Sequence, residues 1–492
     1  MTPFAPWLPD IVQFNPAVSS DAKNVIPPSA TGFKPWPSFT AVASAITARV
    51  RGAFTTRGLL GTIFNFAGDA TKLYKMDSTG LSFSDASRTV GGAYTTAIDG
   101  WWNFTLFGDY VIACNQADAT QVFQLSSSTN FAALSGSPPQ AAFTGTIRDF
   151  AILARVNTAY NRIQWCGIND ITAWTPSATT MSDYQDFPDG GIIMGFVGGE
   201  YGLVFQERAI QRMAFEGPPT IFRFDKISNT LGCQIPGSIA SYENLAFFKA
   251  HDGMYMVRGG SELVPIGNEK MDRWLNARIN ATYYYRCSSC IDPARKLYLF
   301  SYPSQSSSDG TPDEILAYHW PSGEWSYAQV AHELIYTGAV QASLTIDDLS
   351  SLSGSIDGLI YPTDSLFYAG SGQLLFGGFN ILHQQGFFTG ANLQATIETG
   401  DNQAFPGRKA MVRGARPMVE GTNVTPQLAL KYRDLTTTAH STGSAVTANS
   451  NGYCTFRTNA RYHRFVMTIP ASSTWDRALG IDDIKVSAMG AR

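Results

Sequence analysis

The sequence predicts an all-β protein: a β-propeller of six or seven divergent blades, followed by a C-terminal β-sandwich and preceded by an extended N-terminal arm. Three observations lead to this fold class. Pairs of short apolar strands recur from about residue 58, the recurrence is lost after about residue 386, and the first 37 residues carry eight prolines. We therefore divide the chain into an arm (1–40), a propeller with projecting loops (41–385) and a sandwich (386–492).

The N-terminal arm is rich in proline and aromatic residues. Proline lacks a backbone donor and fixes its own φ, so this density excludes a helix or a central strand. Trp7, Phe14, Phe33 and Trp36 lie between the prolines. Because aromatic rings gain most of their stabilisation from burial, we expect these four side chains to contact a partner protein. A short helix is predicted after the arm, at residues 41–50.

A strand–turn–strand unit recurs along the middle of the chain. The pairs are 62–66 with 72–76, 109–114 with 120–125, 149–155 with 161–166, 200–205 with 208–215, 244–250 with 253–259, 296–301 with 314–320, and 366–369 with 373–377. Successive first strands begin 47, 40, 51, 44, 52 and 70 residues apart. Short strands repeated at a period of about 40–50 residues are typical of propeller blades.

One helix and a second β domain complete the predicted elements. The helix spans residues 269–279, with Asn268 as its N-cap and with Met271, Trp274 and Leu275 on one face. Beyond residue 386, strand-like runs occur at 392–398, 408–413, 426–432, 452–457, 461–469 and 481–487. Six short strands without the blade period favour a β-sandwich of about a hundred residues.

The composition favours a protein that assembles with others. Charged residues make up 15% of the chain, against about 25% in an average soluble domain. Most of the cations are arginines, whose planar guanidinium suits interfaces. Six cysteines in 492 residues do not form a disulfide framework. We find no targeting signal in the first 40 residues and no apolar run long enough to span a membrane.

The sequence carries no recognisable catalytic or cofactor chemistry. Phosphate-loop, dinucleotide-binding, nucleophile-elbow and zincin motifs are all missing, and the six histidines are scattered singly. Cys287 and Cys290 form a C-x-x-C without a second half, so we interpret them as structural thiols. The densest carboxylate group is Asp183, Asp186 and Asp189, beside Pro188 and a glycine pair, which favours a turn between blades over a catalytic pair. We predict no enzyme activity, no cofactor and no metal site.

Five stretches resemble the tail tubular, or nozzle, proteins of short-tailed bacteriophages (podoviruses), including the packaged-DNA-stabilising tail hub type. They are FNFAGDATKLYKM (64–76), DGGIIMGFVGGEYGLVFQER (189–208), DGMYMVR (252–258), PIGNEKMDRW (265–274) and RYHRFVMTIP (461–470). The resemblance implies a structural virion protein, assembled in the host cytoplasm, that forms a ring of six copies around the tail axis. Its implied neighbours are the portal-proximal neck adaptor and the tail fibre, spike or tip proteins. Such a ring retains packaged double-stranded DNA and conducts it during ejection, without sequence-specific contacts.

Charge is distributed unevenly along the chain. Residues 297–407 contain eleven acids and neither Lys nor Arg, whereas bases outnumber acids in residues 408–492. Carboxylates on a tube wall would repel DNA phosphates, within the roughly 8 Å over which salt screens charge, while bases would bind them. We therefore expect the acidic segment to face the lumen and the basic segment to face protein partners. The candidate lumen residues are Asp309, Asp313, Glu314, Asp347, Asp348, Asp357 and Asp364.

Two alternatives stay open at this stage. An acidic surface can serve solubility alone. A propeller on the same kind of particle can also bind a receptor or handle glycans, and a pocket flanked by two carboxylates with exposed tryptophan would favour that function.

Overall fold

The computed structural model describes residues 2–11, 14, 17–27, 32–77, 80–340, 355, 374–422 and 424–490. Nearly all regular structure in these ranges is β-strand, which confirms the predicted all-β class. The N-terminal region contributes five strands: β1 (Thr2–Pro3), β2 (Ser19–Lys23), β3 (Val25–Ile26), β4 (Lys34–Pro35) and β5 (Pro37–Ala41). Within the described ranges, β3 and β4 pair only with each other.

The first four blades are antiparallel sheets of four consecutive strands. Blade 1 comprises β6 (Gly52–Arg57), β7 (Ile63–Gly68), β8 (Leu73–Met76) and β9 (Phe83–Asp85). Blade 2 comprises β10 (Asn103–Phe107), β11 (Tyr110–Cys114), β12 (Gln121–Gln124) and β13 (Ala132–Ala133). Blade 3 comprises β14 (Ala141–Ile147), β15 (Phe150–Val156), β16 (Ala159–Trp165) and β17 (Asp183–Asp186). Blade 4 comprises β18 (Ile193–Val197), β19 (Gly202–Gln206), β20 (Ile210–Gly217) and β21 (Ile221–Ser228).

Three further blades complete the ring. Blade 5 comprises β22 (Ala240–Tyr242), β23 (Leu245–Lys249), β24 (Met254–Arg258) and β25 (Glu262–Pro265). Blade 6 comprises β26 (Ser288–Asp292), β27 (Leu297–Tyr302), β28 (Glu314–His319) and β29 (Glu324–Gln329). Blade 7 comprises β30 (Leu334–Ala339), β31 (Leu374–Phe379), β32 (Gln385–Asn392) and, as its fourth strand, the N-terminal β5. The propeller therefore continues to Asn392, seven residues beyond the boundary we predicted.

The ring is closed by β5, which lies antiparallel to β32 with Phe39 opposite Phe388. The innermost strands of blades 7 and 1, β30 and β6, contact each other. Side chains also join inner strands of neighbouring blades: Thr105 and Thr146 hydroxyl oxygens lie 3.1 Å apart. These links hold the inner strands around one axis.

The recurring pairs of the sequence are the second and third strands of blades 1 to 6, so the predicted propeller is confirmed. In the last repeat, residues 373–377 fall in β31, and residues 366–369 lie outside the described part of the chain. Among the described residues the blades number seven.

The C-terminal domain consists of two β-sheets. Its strands are β33 (Ala395–Thr399), β34 (Ala410–Thr422), β35 (Gln427–Arg433), β36 (Ser441–Thr442), β37 (Val446–Thr447), β38 (Cys454–Ala460), β39 (Tyr462–Ile469) and β40 (Thr474–Ala488). One sheet has the order β1-β40-β34-β38. The other has the order β2-β33-β39-β35, and β2 also pairs in parallel with β29, so the sheet of blade 6 continues into this domain.

The N-terminal region is part of both domains and not a free arm. Trp7, Phe33 and Trp36 are 1%, 0% and 1% exposed. The Trp7 ring lies 4.8 Å from Trp274, and Phe14 is the one aromatic of the four with substantial exposure, at 40%. The expectation that Trp7, Phe33 and Trp36 contact a partner is therefore wrong, because the chain's own core buries them.

Both predicted helices need correction. Residues 42–50 are irregular, and the helix predicted at 269–279 is shorter: α1 spans Asp272–Arg278. Asn268 does not cap α1. Instead the carboxylate of Asp10 accepts hydrogen bonds from the backbone N–H groups of Arg273 (2.7 Å) and Trp274 (2.9 Å). Two 3-10 turns, at Pro236–Ser238 and Ala281–Arg286, precede blades 5 and 6.

Candidate functional site: the axial cavity and its mouth

The propeller surrounds an uncharged axial cavity of about 680 Å³. Every inner strand contributes to its wall, which includes Thr55, Leu106, Thr146, Val197, Ser241, Ile291 and Thr337. Among the described residues no charged side chain lines this section. Several wall hydroxyls are engaged with the backbone: Thr146 Oγ1 donates to Leu106 O (2.7 Å) and Thr337 Oγ1 to Ile291 O (2.8 Å). The described part of the wall therefore carries no charge, and several of its hydroxyl groups are hydrogen-bonded within the wall itself.

A second cavity of about 210 Å³ adjoins the axial section where the inner strands begin. The two share Asn103 and Tyr336 in their walls, so they lie next to each other. We call the smaller cavity the mouth. The charged residues that line the mouth are Arg49, Arg51, Arg286 and Glu333. Its aromatic residues are Trp101, Trp102, Tyr284, Tyr285 and Tyr336. Phe143 lies where the mouth meets the axial section. The mouth thus combines three cations with a single carboxylate.

The three guanidinium groups of the mouth are held by backbone carbonyls. Arg49 Nη2 donates to Ile98 O (3.1 Å), and Arg286 Nη1 donates to Asp309 O (2.9 Å). Arg51 Nη1 donates to Thr96 O (2.9 Å) and also to Ala97 O. The carbonyls fix the positions of these groups without neutralising their charge.

The carboxylate of the mouth is engaged elsewhere. Glu333 Oε2 accepts a hydrogen bond from the backbone N–H of Val50 (3.2 Å), and Oε1 lies 2.8 Å from His383 Nδ1. Burial, followed by the positive charges of Arg286 and Arg51, lowers the pKa of Arg49 to about 10. Burial also lowers the pKa of Arg51. The arginines therefore repel one another in a site that solvates them poorly.

The candidate lumen residues differ in exposure and in hydrogen-bond partners. Asp309 is exposed and accepts hydrogen bonds from Thr311 N (2.9 Å) and Thr311 Oγ1 (2.8 Å), while the half-buried Asp313 accepts from Ser304 N and Oγ, both at 2.7 Å. Glu314 is 1% exposed and accepts from Arg278 Nε (3.1 Å) and Tyr302 Oη (2.6 Å). Its assignment to a lumen is wrong, because an internal ion pair buries it. Asp347, Asp348, Asp357 and Asp364 lie outside the described residues.

The acidic and basic segments meet inside the sandwich. Asp401, which is 2% exposed, contacts Arg464 Nε (2.5 Å), His440 Nε2 (2.8 Å) and Arg433. Glu398 contacts Arg464 Nη1 (3.1 Å) and Lys431. We call these six residues the sandwich ion network. The expectation that the basic segment faces protein partners is wrong for Lys431, Arg433 and Arg464, which pair with acids of their own chain.

The carboxylates that the sequence singled out lie apart from the mouth, whereas Cys287 lines the mouth and Cys290 lines the axial cavity. Arg162 of β16 binds Asp186 through two hydrogen bonds (2.6 and 2.8 Å), and Lys226 of β21 lies 3.4 Å from Asp189. Asp183 begins β17, the outer strand of blade 3. All six cysteines are buried and free, and burial raises the pKa of both Cys287 and Cys290. Within the described ranges, no group of His, Cys, Asp and Glu is arranged to hold a metal, and no helix could span a membrane.

The arginine cluster was missed at the sequence level. Arg49, Arg51 and Arg286 lie within three residues of the first residue of an inner strand, Gly52 for two of them and Ser288 for the third. Residues at that position line the mouth in blades 1, 2, 5, 6 and 7, so it is the signal that could have found them. It was not usable, because the recurring pairs begin at the second strand of each blade and leave the inner strands unrecognised.

Comparison with known proteins adds little beyond this geometry. No family model and no curated protein matches the chain. It is similar to the extracellular domain of a putative one-component system from B. thetaiotaomicron, at 9% identity and a TM-score of 0.42, over 86% of this chain and 46% of that one. It is also similar to the mitotic checkpoint complex (8%, TM-score 0.37, 63% and 91% covered) and to YCF48 bound to a peptide (9%, 0.36, 61% and 87%). The chain spans less than half the length of the first of these proteins. The fold therefore rests on the strand order described above.

Proposed function

We propose that this chain is a structural subunit of a short-tailed bacteriophage virion, six copies of which form a tail tube ring that retains and then conducts DNA. The resemblance of five stretches to nozzle proteins supports this proposal, as does the low charge of the chain. The observation that carries it is an exposed apolar tip. Leu59 and Leu60, in the turn between β6 and β7, are 80% and 98% exposed.

Such a tip is costly on an isolated subunit. Adjacent leucines that leave water on assembly stabilise an interface by about 1.5–3 kcal/mol each, and exposed apolar groups that cluster mark interaction surfaces. Val90 (85% exposed) and Ile98 (73%) add further apolar surface in the connection from blade 1 to blade 2. A ring contact that covers the Leu59–Leu60 tip accounts for these side chains.

Ring formation is tested with the purified full chain by negative-stain electron microscopy and native mass spectrometry. We expect six-fold rings from the wild-type chain. The double variant Leu59→Ser/Leu60→Ser should remain monomeric with an unchanged thermal midpoint, since the tip contributes nothing to the core. The matched control is Leu435→Ser, which alters a leucine that is 54% exposed in the C-terminal domain. A wild-type chain that stays monomeric at high concentration, or rings that survive the double substitution, would contradict the proposal.

A receptor-binding or glycan-handling propeller is the second candidate. The aromatic side chains Trp101, Tyr284 and Tyr285 in the mouth favour it, because rings of this kind stack on sugars. The charged residues of the mouth are not the pair of carboxylates that glycoside hydrolysis needs. Binding of the chain to a glycan array, lost in Trp101→Ala, would favour this candidate over the ring.

A further inference from the structure

We propose that the mouth of the propeller is a binding site for a small multivalent oxyanion, a phosphate or a carboxylate, held by Arg49, Arg51 and Arg286. This inference concerns the arginine cluster and does not depend on the proposed function. Three guanidinium groups converge on one cavity, and together they present more donors than the surrounding carbonyls accept.

The first argument is the balance of charge. In the described part of the chain, no carboxylate forms an ion pair with Arg49, Arg51 or Arg286, and Glu333 accepts a hydrogen bond from Val50 N while its other oxygen lies 2.8 Å from His383 Nδ1. The other acids near the cluster act only through space, Asp69 and Asp99 on Arg51 and Asp309 on Arg286. An anion in the mouth would supply the missing counter-charge, since guanidinium groups bind carboxylate and phosphate through paired hydrogen bonds.

The second argument is unsatisfied donors. The Nε atoms of Arg51 and Arg286 are buried and have no hydrogen-bond partner among the described residues. Buried donors without acceptors are rare in folded proteins, because each one costs free energy. Arg49 also lies against the Tyr285 ring, with its Cζ 6.0 Å from the ring centroid. The side chains are therefore held in place for a ligand that brings acceptors.

The third argument is size. The mouth, at about 210 Å³, is smaller than the roughly 300–1,000 Å³ of pockets that hold drug-sized ligands. It therefore fits a compact anion with several oxygens better than an extended ligand. The neutral axial section that follows offers no further charge, so the anion would stay at the arginines.

Titration calorimetry of the full chain, in a chloride buffer of low ionic strength, tests the site with inorganic phosphate and, separately, with citrate. We expect saturable binding of at least one of them at one site per chain, and the comparison of the two identifies the preferred oxyanion. Arg49→Gln and Arg286→Gln should each weaken that binding at least tenfold. Arg57→Gln is the matched control, because Arg57 is exposed at the far end of β6 and should leave the affinity unchanged.

Thermal unfolding gives a second readout. The better ligand should raise the midpoint of the wild-type chain and of Arg57→Gln, and should not raise that of Arg49→Gln. Without ligand, Arg49→Gln should unfold at or above the wild-type midpoint, because one repelling charge is gone. If neither anion binds saturably, or if binding is within twofold of wild type in both Arg49→Gln and Arg286→Gln, the proposal is overturned. Should Arg286→Gln fail to fold, Arg49→Gln decides alone, since within the described residues the Arg49 guanidinium donates one hydrogen bond, to Ile98 O of a surface loop, and otherwise lies against the Tyr285 ring.

Discussion

Asp401 illustrates how a single residue reverses an inference drawn from the charge pattern. Burial by itself raises the pKa of Asp401, but hydrogen bonds from Arg464 and His440 outweigh it and hold the pKa below its usual value. A carboxylate kept ionised inside a domain depends on its cations. The sandwich ion network therefore neutralises part of the acidic segment with part of the basic segment, and neither is free to face a separate surface.

We predict that Arg464→Met destabilises the protein strongly. Removing one partner of a buried ion pair leaves the other charge uncompensated and costs about 3–5 kcal/mol. Arg464 is 9% exposed and binds both carboxylates of the network. Urea unfolding followed by tryptophan fluorescence measures the loss. Arg413→Met, on the exposed face of β34, is the control and should change stability by less than about 0.5 kcal/mol. Equal effects of the two substitutions would contradict the assigned role of the network.

The buried carboxyl group of Asp272 is expected to make the free energy of unfolding depend on pH. Burial raises the pKa of Asp272 to about 6, although the Met254 N–H bound to its carboxylate (3.0 Å) and the nearby Lys249 act in the opposite direction. The unfolded value is about 3.9, so the folded state holds this proton more tightly. The contribution of Asp272 is therefore fully present below pH ~4 and is lost as pH rises through about 6.

The substitution Asp272→Asn should remove this slope, because asparagine keeps an acceptor for Met254 N–H and cannot ionise. Unfolding free energies measured between pH 4 and pH 7 provide the test. Asp252→Asn, at an exposed neighbouring carboxylate that binds Tyr255 Oη, should leave the slope in place. A variant Asp272→Asn with the wild-type slope would show that another group titrates.

For single residues, the sequence showed which side chains need a contact but not which residues supply it. Glu314 was counted with exposed acids, yet Arg278, 36 residues earlier, binds it inside the protein. Trp7 was assigned to a partner protein, yet Trp274 and Tyr327 cover it. A charge or hydropathy pattern records which side chains need a partner, whereas folding decides whether the same chain supplies one.

Among the elements, β5 and β32 form the closure of the propeller through a close backbone approach at Gly386. A Cβ on Gly386 would lie 2.0 Å from Thr40 O of β5, a distance that real Cβ atoms do not show. Gly377, in the neighbouring strand β31, has room, because its nearest neighbours would lie 3.4 Å from a Cβ. Gly386 and Gly377 of the same blade are therefore a matched pair of sites for substitution by alanine.

We predict that Gly386→Ala displaces β5 and opens the seam, whereas Gly377→Ala leaves it closed. Hydrogen exchange of residues 38–41 measures the opening: we expect at least tenfold faster exchange in Gly386→Ala, since within the described part of the chain β5 pairs with no strand other than β32. Wild-type protection of β5 in Gly386→Ala would mean that the closing strand adapts to the added methyl group.

The sequence predicted some kinds of element and missed others, for physical reasons. Second and third strands were recognised because they are continuous apolar runs, as in β11 and β15, which are buried almost throughout. The inner strand β10 is half-buried along its whole length and β6 along its middle, since they line a cavity, and neither shows such a run. The start of α1 was misplaced because its cap, Asp10, comes from a distant part of the chain.

For the molecule as a whole, the propeller and the sandwich share one hydrophobic core. Phe247, Tyr298 and Trp325 of blades 5 and 6 belong to the same buried cluster as Leu428 and Met467 of the sandwich. Two domains that bury each other's apolar surface lose stability together, and we expect them to unfold in one cooperative step.

We predict that Met467→Ala, at a fully buried position of β39, lowers the midpoint of that single step, at a cost of about 2–5 kcal/mol. Calorimetry combined with near-UV circular dichroism of the propeller tryptophans checks the prediction. Met489→Ala, at a side chain that is 39% exposed, should change little. Two separate transitions in Met467→Ala would show that the domains are independent.

The number of blades was the whole-molecule property that the sequence left open. Blade 7 draws its fourth strand from residues 37–41, and 34 positions separate the end of β30, Ala339, from its partner Leu374 in β31. Both features hide the last blade from a search for an even period.

The position of β5 also sets the order of events when the chain is made. A ribosome releases residues 37–41 early, but their partner strand ends at Asn392. At about 5–20 residues per second, synthesis of the intervening stretch takes roughly 20–70 s. During that interval the nascent propeller has an open seam with unpaired edges on both sides, a condition that favours aggregation. A chaperone that covers this seam until translation reaches blade 7 would raise the yield of soluble protein.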